Sequence, residues 1–437
     1  MRRRAFLHAA GVLLLSCVVL LPSGASASGF FHPEVGARNF ARGGAAIAGG
    51  TDLACFYVNM ANLAQLDGTN IYGNAAFDVF HTYYRREPYL PAVRNSNPFD
   101  PIQFMGISSD FGLDSWTFGF AVYGPYGVTN RWPEKGPQRY NIIEANVLQI
   151  YYSLGVAWNP KDWIRVGVKG SVVNFKLLNF YGFTVLGDRN QSFDVTAKFL
   201  AYTEFVPSWG AGIVLAPIPN WVEVGFSYLP EFNVTVLGEV VGEMPQLYGV
   251  LLGGRIFSDD LTLPIHYPPI YRVGTRFIYK DKGDFELALM YIPWSYLQYY
   301  DIDLEGEEVM QDFKFPLNWK DTWNYRAGGT YKFNDHWWIH GGYQFEQTAN
   351  PEWISGLETD RHIVSTGLTV RYFGMDIDFG YGHVFQDDVD TPPPPPTFES
   401  ELDDGRGRYK SSYDVFLGAI NFNIERMYYA YHGRRPW

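Results

Sequence analysis

The feature that most constrains the fold is a series of alternating strands whose connections are long and short in turn. Along one such strand Trp116, Phe118, Phe120 and Val122 share a face, and small or polar residues lie between them. Short connections with turn residues lie near 112–115, 159–162, 217–220, 281–284, 334–336 and 374. Long connections lie near 86–103, 125–143, 179–193, 238–265, 300–319, 349–360 and 387–407. Seven long and six short connections join fourteen strands.

This pattern predicts an all-β fold, a 14-stranded antiparallel transmembrane β-barrel over residues 69–424. One face of each strand suits lipid and the other suits a lumen, and long loops opposite short turns are typical of such barrels. The chain is 47% hydrophobic and 18% aromatic, which fits the aromatic girdles of a membrane barrel. A secreted β-sandwich or propeller would share the strand period but not the alternation of connections. The even strand number predicts both chain ends at the turn end.

The N-terminus predicts secretion. Three arginines, an apolar run and the small residues Ala-Ser-Ala follow one another over residues 1–27, which is the order of a signal peptide cleaved after Ala27. A twin-arginine signal and a lipoprotein box ending at Cys17 are the alternatives. After Leu21 no apolar run is long enough for a transmembrane helix. The expected location is the outer membrane of a Gram-negative bacterium.

Charge and cysteine content exclude several chemistries. The formal net charge is −12 and becomes more negative when the three arginines of the signal peptide leave, which argues against nucleic acid as a partner. Cys55 is the one cysteine expected to remain, so no intrachain disulfide can form. The histidines are scattered, and no nucleophile with its base can be nominated. We therefore expect no catalytic residue, no metal site and no cofactor.

Residues 36–66 are rich in Gly and Ala and follow neither the helical nor the strand period. Small residues permit tight turns and close backbone contact. Such a stretch makes a poor core of its own, but it can pack as a compact plug inside a barrel; a Gly/Ala-rich linker is the alternative. We divide the chain into a signal peptide (1–27), an N-terminal hatch (28–68), the barrel (69–424) and a C-terminal tail (425–437).

Six sequence features occur in a recognisable order. Gly29-Phe30 near the predicted mature start is followed by the Gly/Ala run and by Tyr-Val-Asn-Met-Ala-Asn-Leu-Ala at 57–64. Tyr-Gly-Pro-Tyr-Gly at 123–127, Tyr-Ile-Pro-Trp-Ser at 291–295 and the hairpin at 319–338 come later. Over nearly all of the mature chain they resemble the FadL family of outer-membrane transporters of long-chain fatty acids and aromatic hydrocarbons. The family usually has Asn-Pro-Ala-Gly where this chain has Asn-Met-Ala-Asn, and it usually ends at the last strand, without a tail.

The resemblance implies a barrel that carries hydrophobic molecules inward by diffusion, without an energy source. It implies that Phe30 contacts ligand in the lumen and that Lys320 meets the carboxylate end of the ligand, with Lys176 as a weaker candidate. Apolar loop residues are expected to form an outer capture groove: Phe180, Phe183, Val185, Leu247 and Leu251. The hatch residues expected to matter are Gly29, Gly43, Gly44, Asn59 and Ala61.

Several alternatives stay open at the level of sequence. The apolar loop residues could instead only pack the loops together. Seven cations are candidates to line the inner face of the barrel, and most of them are expected by default to pair with acids such as Glu223 and Glu286: Arg165, Lys169, Arg272, Arg276, Lys320, Arg326 and Lys332. The ligand is a long-chain fatty acid or an aromatic hydrocarbon, and a structural or adhesive surface protein without transport is the alternative. A porin would have no hatch. The expected partners are a hydrophobic small molecule and outer-membrane lipids, with the protein as a monomer.

Overall fold

The computed structural model describes residues 35–86, 91–96, 102–140, 142–183, 194–243, 256–305, 312–351, 353, 359–391 and 407–432. Gly29, Phe30, Val185, Leu247 and Leu251 lie outside the described residues, as does the predicted signal peptide. The helices are α1 (Ala37–Ala41), α2 (Cys55–Val58) and α3 (Ile424–Tyr431), with 3-10 turns at Met60–Gln65, Pro137–Tyr140, Lys280–Lys282 and Trp294–Tyr296. None of the described helices has the length and apolarity needed to cross a membrane.

Strands make up most of the described chain. In chain order they are β1 (Thr69–Phe80), β2 (Tyr83–Arg85), β3 (Val93–Arg94), β4 (Ile102–Ser109), β5 (Trp116–Tyr123), β6 (Gly127–Arg131), β7 (Glu144–Lys161), β8 (Ile164–Phe183), β9 (Val195–Ile218), β10 (Val222–Leu229), β11 (Phe232–Glu243), β12 (Ile256–Tyr267), β13 (Ile270–Tyr279), β14 (Gly283–Ile292), β15 (Tyr299–Leu304), β16 (Phe313–Pro316), β17 (Thr322–Lys332), β18 (Trp337–Glu346), β19 (Arg361–Tyr372), β20 (Met375–Gln386), β21 (Val389–Asp390), β22 (Arg408–Lys410) and β23 (Ser412–Asn423).

Fourteen of the described strands close into an antiparallel barrel, which confirms the predicted fold and strand number. Neighbours around the ring follow the order β1, β4, β5, β7, β8, β9, β10, β13, β14, β17, β18, β19, β20 and β23. β23 then pairs with β1 from Asn70↔Asn423 to Phe80↔Tyr413, which closes the ring. Closure matters because a membrane strand must find all its backbone partners within the protein.

Burial separates the two faces of the strands as the sequence period predicted. On β10, Glu223 and Ser227 are buried and face the lumen, whereas Phe226 is exposed on the outside. Rings on the outer face touch one another across five neighbouring strands, with centroids between 4.5 and 6.2 Å apart: Trp209, Tyr228, Tyr271, Tyr291 and Trp323. Such a band has the character of an aromatic girdle at a membrane interface.

Several connections at the loop end contain strands of their own, which the sequence period did not predict. β11 and β12 continue β10 and β13 as a hairpin that pairs from Phe232↔Tyr267 to Glu243↔Ile256. β21, β22, β2 and β3 form a small sheet next to a buried cluster of aromatic residues, Tyr84, Trp132 and Tyr409. The pairing of β9 with β10 ends at Ala211↔Tyr228, and β9 pairs with β11 from Tyr202↔Leu237 onward.

Residues 35–66, here called the N-terminal segment, pack against the inner faces of the barrel strands. Nearly all of them are buried. α1 contacts β18, β19 and β20, and the 3-10 turn at Met60–Gln65 contacts β7, β8 and β9. The segment shows no single period because it consists of short helices joined by tight turns. A cavity of about 830 Å³ separates it from the turn end of the barrel.

The chain after the last barrel strand is helical. β23 ends at Asn423, whose side chain accepts a hydrogen bond of 2.8 Å from the Arg426 amide and so caps α3. Glu425 accepts a hydrogen bond of 2.7 Å from the amide of Thr69, where the first strand begins. The predicted tail therefore starts as a helix that is tied to the turn end.

Candidate functional site

A chain of ion pairs runs along the inner wall and ends on the N-terminal segment. Arg165 and Arg276 both bind Glu223, at 2.8 and 2.9 Å, and Arg276 also reaches Asp284 at 2.5 Å. Asp284 in turn binds Arg42 of the N-terminal segment at 2.8 Å. Because each of these charges faces an opposite one, the lumen can bury them without leaving any unpaired.

Glu286 holds the backbone of the N-terminal segment directly. Its carboxylate is fully buried and accepts hydrogen bonds from the amides of Ile47 at 2.6 Å, Ala48 at 3.0 Å and Gly49 at 3.0 Å. Successive amides that converge in this way form a concave anion site. The sequence indicated Glu286 as a partner for a cation, and Arg42 does lie 3.9 Å from it. Its closest partners, however, are backbone N–H groups.

A second anchor joins the N-terminal segment to β20. The Arg38 guanidinium donates to both carboxylate oxygens of Asp378, at 3.0 and 3.2 Å, and lies 3.5 Å from Asp376. It also lies 5.2 Å from the ring centre of Trp338. Charge-assisted pairs of this geometry are among the stronger polar contacts in proteins. The segment is thus fixed to β14 and to β20 by separate buried carboxylates.

Burial shifts the titration of groups within the N-terminal segment. It raises the pKa of Asp52 to about 6, against the opposing effect of the Arg38 charge. The Asp52 carboxylate accepts a hydrogen bond of 2.9 Å from the Ala54 amide. Burial also raises the pKa of the Cys55 thiol well above its usual value. This thiol should therefore react slowly while the segment stays in place.

Close backbone contact explains Gly43 and Gly44. Both residues have positive φ angles, 62° and 68°, which glycine adopts without strain. A Cβ at Gly43 would lie 2.7 Å from the backbone nitrogen of Tyr343, and one at Gly44 would lie 2.6 Å from the Arg326 guanidinium. The two predicted hatch glycines therefore sit where the segment meets the wall.

Asn59 and Asn62 tie the two halves of the N-terminal segment together. Asn59 donates to the Ile47 carbonyl at 2.8 Å and accepts from the Ala61 amide at 3.0 Å. Asn62 donates to the carbonyls of Ala46 at 3.2 Å and Ile47 at 3.1 Å. Asn62 stands where the family usually has Gly, and in this chain its amide supplies two hydrogen bonds that a glycine cannot make.

Toward the loop end, above the N-terminal segment, the lumen is lined by buried aromatic rings. Tyr123 stacks on Phe104 and on Tyr151, with centroids 5.3 and 5.6 Å apart, and Phe232 stacks on Tyr267 at 4.9 Å. Apolar walls with a few placed polar groups are the usual setting for a small apolar ligand. These rings were not nominated from the sequence, although strand parity places Tyr123 and Tyr151 on inner faces.

Two cations lie at the border between these rings and the N-terminal segment. Lys169 Nζ donates to the carbonyl of Phe56 and to the hydroxyl of Tyr123, both at 2.5 Å. The Arg272 guanidinium lies 5.5 Å from the ring centre of Tyr57. A small cavity of about 10 Å³ is lined by the segment and both cations. That volume holds about one water molecule.

The predicted lumen cations fall into two groups. Six of them lie on strand faces that point inward: Arg165, Lys169, Arg272, Arg276, Arg326 and Lys332. Lys320 is exposed in the segment between β16 and β17, and its amide donates to the Ala349 carbonyl at 3.1 Å. Burial raises the pKa of the Asp360 carboxyl to about 7, although the positive charge of Lys320 acts in the opposite direction.

Lys176 does not line the lumen. It is exposed on the outer face of β8, between the buried side chains of Phe175 and Leu177. The two-residue period that places Lys169 inside places Lys176 outside. Of the predicted groove residues, Phe180 and Phe183 lie in strand β8, and the other three lie outside the described residues. The capture groove therefore stays a prediction.

Sequence reasoning missed the anchor formed by Arg38 with Asp376 and Asp378. The period of β20 places both acids on its inner face, but nothing local says which cation they meet, because Arg38 and Asp378 are 340 residues apart. In the part of the chain that the structure describes, no group of His, Cys, Asp and Glu is placed to hold a metal ion.

The fold resembles solved outer-membrane transporters. A Pseudomonas aeruginosa FadL homologue matches with a TM-score of 0.77 and 15% identity over 91% of this chain and 100% of that one. The Ralstonia pickettii toluene transporter TbuX matches with a TM-score of 0.66 and 15% identity, over 89% of this chain and 98% of that one. The P. putida toluene transporter TodX matches with a TM-score of 0.68 and 13% identity, over 89% of this chain and 98% of that one. At these identities the likeness shows a shared fold.

Sequence comparison points to the same group. The long-chain fatty acid transport protein of Salmonella typhi is 23% identical over 229 residues, 49% of this chain and 48% of that protein, so the chain spans about half the length of this relative. A family model described as outer membrane protein transport protein (OMPP1/FadL/TodX) matches residues 18–423. The chain therefore belongs to the OMPP1/FadL/TodX family of outer-membrane transport proteins.

Proposed function

We propose that this protein carries hydrophobic compounds across the outer membrane by diffusion, and that long-chain fatty acids are its main substrates. Family membership supports transport across the outer membrane. The name of the curated relative supports fatty acids, and the names of the toluene transporters support aromatic hydrocarbons as the alternative. The observation that carries the proposal is a buried, aromatic lumen that the N-terminal segment closes toward the turn end.

The proposed route starts at the loop end, which faces the outside of the cell. Apolar side chains of the loops 179–193 and 238–265 capture the solute there. It then exchanges water for contact with rings such as Tyr123, Tyr151 and Phe232, a transfer that apolar burial favours. Because the N-terminal segment fills the path beyond these rings, it must move before the solute can reach the turn end. Movement down a concentration gradient needs no energy source.

The remaining parts of the proposal concern placement and assembly. The signal peptide (1–27) directs export, the short turns face the periplasm, and the barrel works as a monomer among outer-membrane lipids. With both chain ends at the turn end, the N-terminal segment enters the lumen from the periplasmic side. Its anchors on Glu286 and Asp378 hold the closed state. Opening therefore requires that buried hydrogen bonds are broken.

Reconstituted uptake tests the proposal. The mature protein is inserted into liposomes, and the entry of oleate and of toluene is followed in parallel with protein-free liposomes. We expect faster entry of oleate, and faster entry of toluene alone would point to the aromatic hydrocarbon alternative. If the protein accelerates neither compound, the transport proposal fails and the structural or adhesive alternative remains.

Lys320 is proposed to meet the carboxylate of a fatty acid near the loop end. The Lys320→Ala variant should slow oleate uptake by about tenfold to a hundredfold, since a charge-assisted hydrogen bond contributes about 1.5–3 kcal/mol. Toluene has no charge, so its uptake should not change. Lys314→Ala is the matched control, because Lys314 is also exposed at the loop end and pairs with Asp301 at 3.3 Å. Equal losses for both compounds would mean that Lys320 supports the wall.

A further inference from the structure

A ribbon of two strands extends the barrel wall at the loop end, where the first and last barrel strands meet. β1 continues into β2, and β22 continues into β23, so the pairing of β1 with β23 carries on as the pairing of β2 with β22. Between the two ladders the His81 amide donates to the Ser412 carbonyl at 2.8 Å, and a hydrogen bond of 2.9 Å joins the hydroxyls of Thr82 and Ser411. β3 and β21 flank this ribbon.

The two-residue period of the barrel strands continues along the ribbon. On one face, Tyr84 and Tyr409 are buried with Trp132. The opposite face continues the lipid-facing side of the wall, because its residues on β22 have the same parity as the exposed Phe416 of β23. This outward surface, here called the basic face, carries four exposed cations: Arg85, Arg94, Arg408 and Lys410.

Carboxylates neutralise only part of the basic face. One oxygen of Asp388 lies 3.5 Å from Lys410 and 3.6 Å from Arg408, so two cations share it. Exposed ion pairs of this kind contribute little. Among the described residues, no carboxylate oxygen lies within 4.0 Å of the guanidinium nitrogens of Arg85 or Arg94. The surplus of positive charge stands out in a chain whose formal net charge is −12.

Two of the cations face each other directly. Arg85 of β2 is the cross-strand partner of Arg408 of β22, and both side chains are exposed on the same face. Like charges directly opposite one another destabilise a pair of strands. Asp390 lies on the other side of Arg408, in β21, and so does not separate the two guanidinium groups. An anion with several oxygens would turn this repulsion into paired hydrogen bonds.

Arg94 is held by a polar network on the outer wall. Its guanidinium donates to Nδ1 of His81 at 3.1 Å, and Nε2 of His81 donates to Asp414 at 3.1 Å. His383 and Tyr381 also donate to Asp414, each at 2.8 Å. Charged groups on the outward face of a barrel are costly in the middle of the bilayer and much less so near its interface. This network therefore marks the level at which the wall reaches the interface.

The height of the basic face matches the headgroup level of the membrane. The apolar band of a membrane barrel is about 25 Å tall, and tilted strands that rise about 3.3 Å per residue cross it in about ten residues. On β23 the outward positions from Phe422, beside the turn end, to Ser412 take up this length. Lys410 and Arg408 come next along the ribbon, so they lie just outside the band.

We propose that the basic face binds a lipid of the outer leaflet whose headgroup carries phosphate groups, with Arg85 and Arg408 as the central pair. Phosphate oxygens match the fork of guanidinium donors. The basic face is continuous with the lipid-facing wall, so a headgroup reaches it without leaving the leaflet. The inference uses the proposed orientation, with the loop end outward, and does not depend on which solute is carried. A bound headgroup would bridge the seam between β1 and β23 that closes the ring.

Native mass spectrometry of the mature protein in detergent tests the site. The probes are diphosphoryl lipid A and the same lipid with both phosphates removed. The wild type should bind the phosphorylated form about tenfold to a hundredfold more tightly, because its phosphates add charge-assisted hydrogen bonds. The double variant Arg85→Gln with Arg94→Gln should bind both forms alike. Lys161→Gln with Lys282→Gln, which removes two exposed cations at the turn end, is the matched control and should keep the preference.

The wild type alone provides a second measurement, which decides the question even if the arginine variant does not fold. Sodium chloride should reduce its preference for the phosphorylated lipid, because salt screens exposed charges. A preference that does not change with salt would mean that the acyl chains or sugars produce it, and the role of the basic face would be refuted.

The other outcomes are equally decisive. Equal binding of the two lipids by the wild type, or a preference that survives Arg85→Gln with Arg94→Gln, overturns the proposal. If inorganic phosphate displaces diphosphoryl lipid A at equal concentration, the basic face is a site for free phosphate and the lipid assignment fails. None of these results bears on the proposed transport, which the uptake of oleate and toluene decides.

Discussion

The strongest test of the closed state is the removal of one charge, Glu286→Gln. The Glu286 carboxylate accepts three hydrogen bonds, two on Oε1 from Ile47 and Ala48 and one on Oε2 from Gly49. The variant is nearly the same size, so no cavity is created. One of its two terminal atoms becomes an NH₂ group, which cannot accept. At least one amide of the N-terminal segment then faces another donor in a buried place.

The magnitude follows from the bonds that are lost. A hydrogen bond to a charged group contributes about 1.5–3 kcal/mol, and the bonds that remain lose their charge assistance. Taking about 2 kcal/mol for the whole change, the equilibrium between closed and open segment shifts by about 30-fold, since each 1.36 kcal/mol is a factor of ten. The barrel should stay folded, because its strand ladders do not involve this side chain.

Alkylation of Cys55 measures this shift under native conditions. Cys55 reacts only when the segment opens, so its rate follows the open population when opening and closing are fast. Asn59 and Asn62 transmit the effect, since both donate to the Ile47 carbonyl beside the lost contacts. Glu286→Gln should react about 30-fold faster than the wild type. Glu239→Gln, the same change at an exposed position on β11, should not differ. An unchanged rate in Glu286→Gln would refute the role of this carboxylate as a lock.

Two further predictions concern the fit between the N-terminal segment and the wall. Gly342→Ala should displace the segment and raise ion conductance in planar bilayers, because the added Cβ would collide with the backbone of Arg42 and Gly43. Gly341→Ala is the control. The preceding residue, Gly341, faces outward with open space around it, so conductance should stay unchanged. Deletion of residues 28–66 should leave a folded barrel, since β1 and β23 pair without them, and that barrel should conduct small ions. If the truncated protein is as tight as the intact one, the segment is not a plug.

The strand number and the two strand faces could be predicted because both depend on local sequence. The two-residue period assigns each side chain to a face, and the turn residues mark where a strand must reverse. Arg165, Glu223 and Arg326 were therefore placed correctly inside the barrel. The same rule places Lys176, whose role was taken from a resemblance to a family position, on the outer face of β8. Its contact with a ligand stays a prediction.

The partners of the lumen charges could not be predicted in the same way. Which carboxylate meets Arg38 or Arg42 depends on how a segment near residue 40 packs against strands near residues 284 and 378. No local pattern encodes that packing. The small sheet of β2, β3, β21 and β22 was missed for a similar reason, because its pairs join loops from opposite ends of the chain and its strands are only two or three residues long.

The small residues of the inner wall explain how the N-terminal segment can pack so closely against the barrel. A Cβ at each of five inward glycines would meet the N-terminal segment or its Glu286 anchor: Gly167, Gly225, Gly274, Gly328 and Gly342. The backbone of the segment therefore packs directly against the backbone of the wall. Residues 38–49 are held in addition by hydrogen bonds and ion pairs to Asp378, Asp284 and Glu286. This fit leaves no room for a small slide of residues 38–49 along the wall.

The contact of α2 with the wall is of a different kind. Its link to Lys169 runs through the Phe56 carbonyl, a neutral acceptor on a charged donor, and not through a buried carboxylate. Lys169→Met should therefore raise the rate at which Cys55 is alkylated, as Glu286→Gln should, because each variant removes a contact that holds the N-terminal segment against the wall. A rate equal to that of the wild type would refute a role of Lys169 in holding α2.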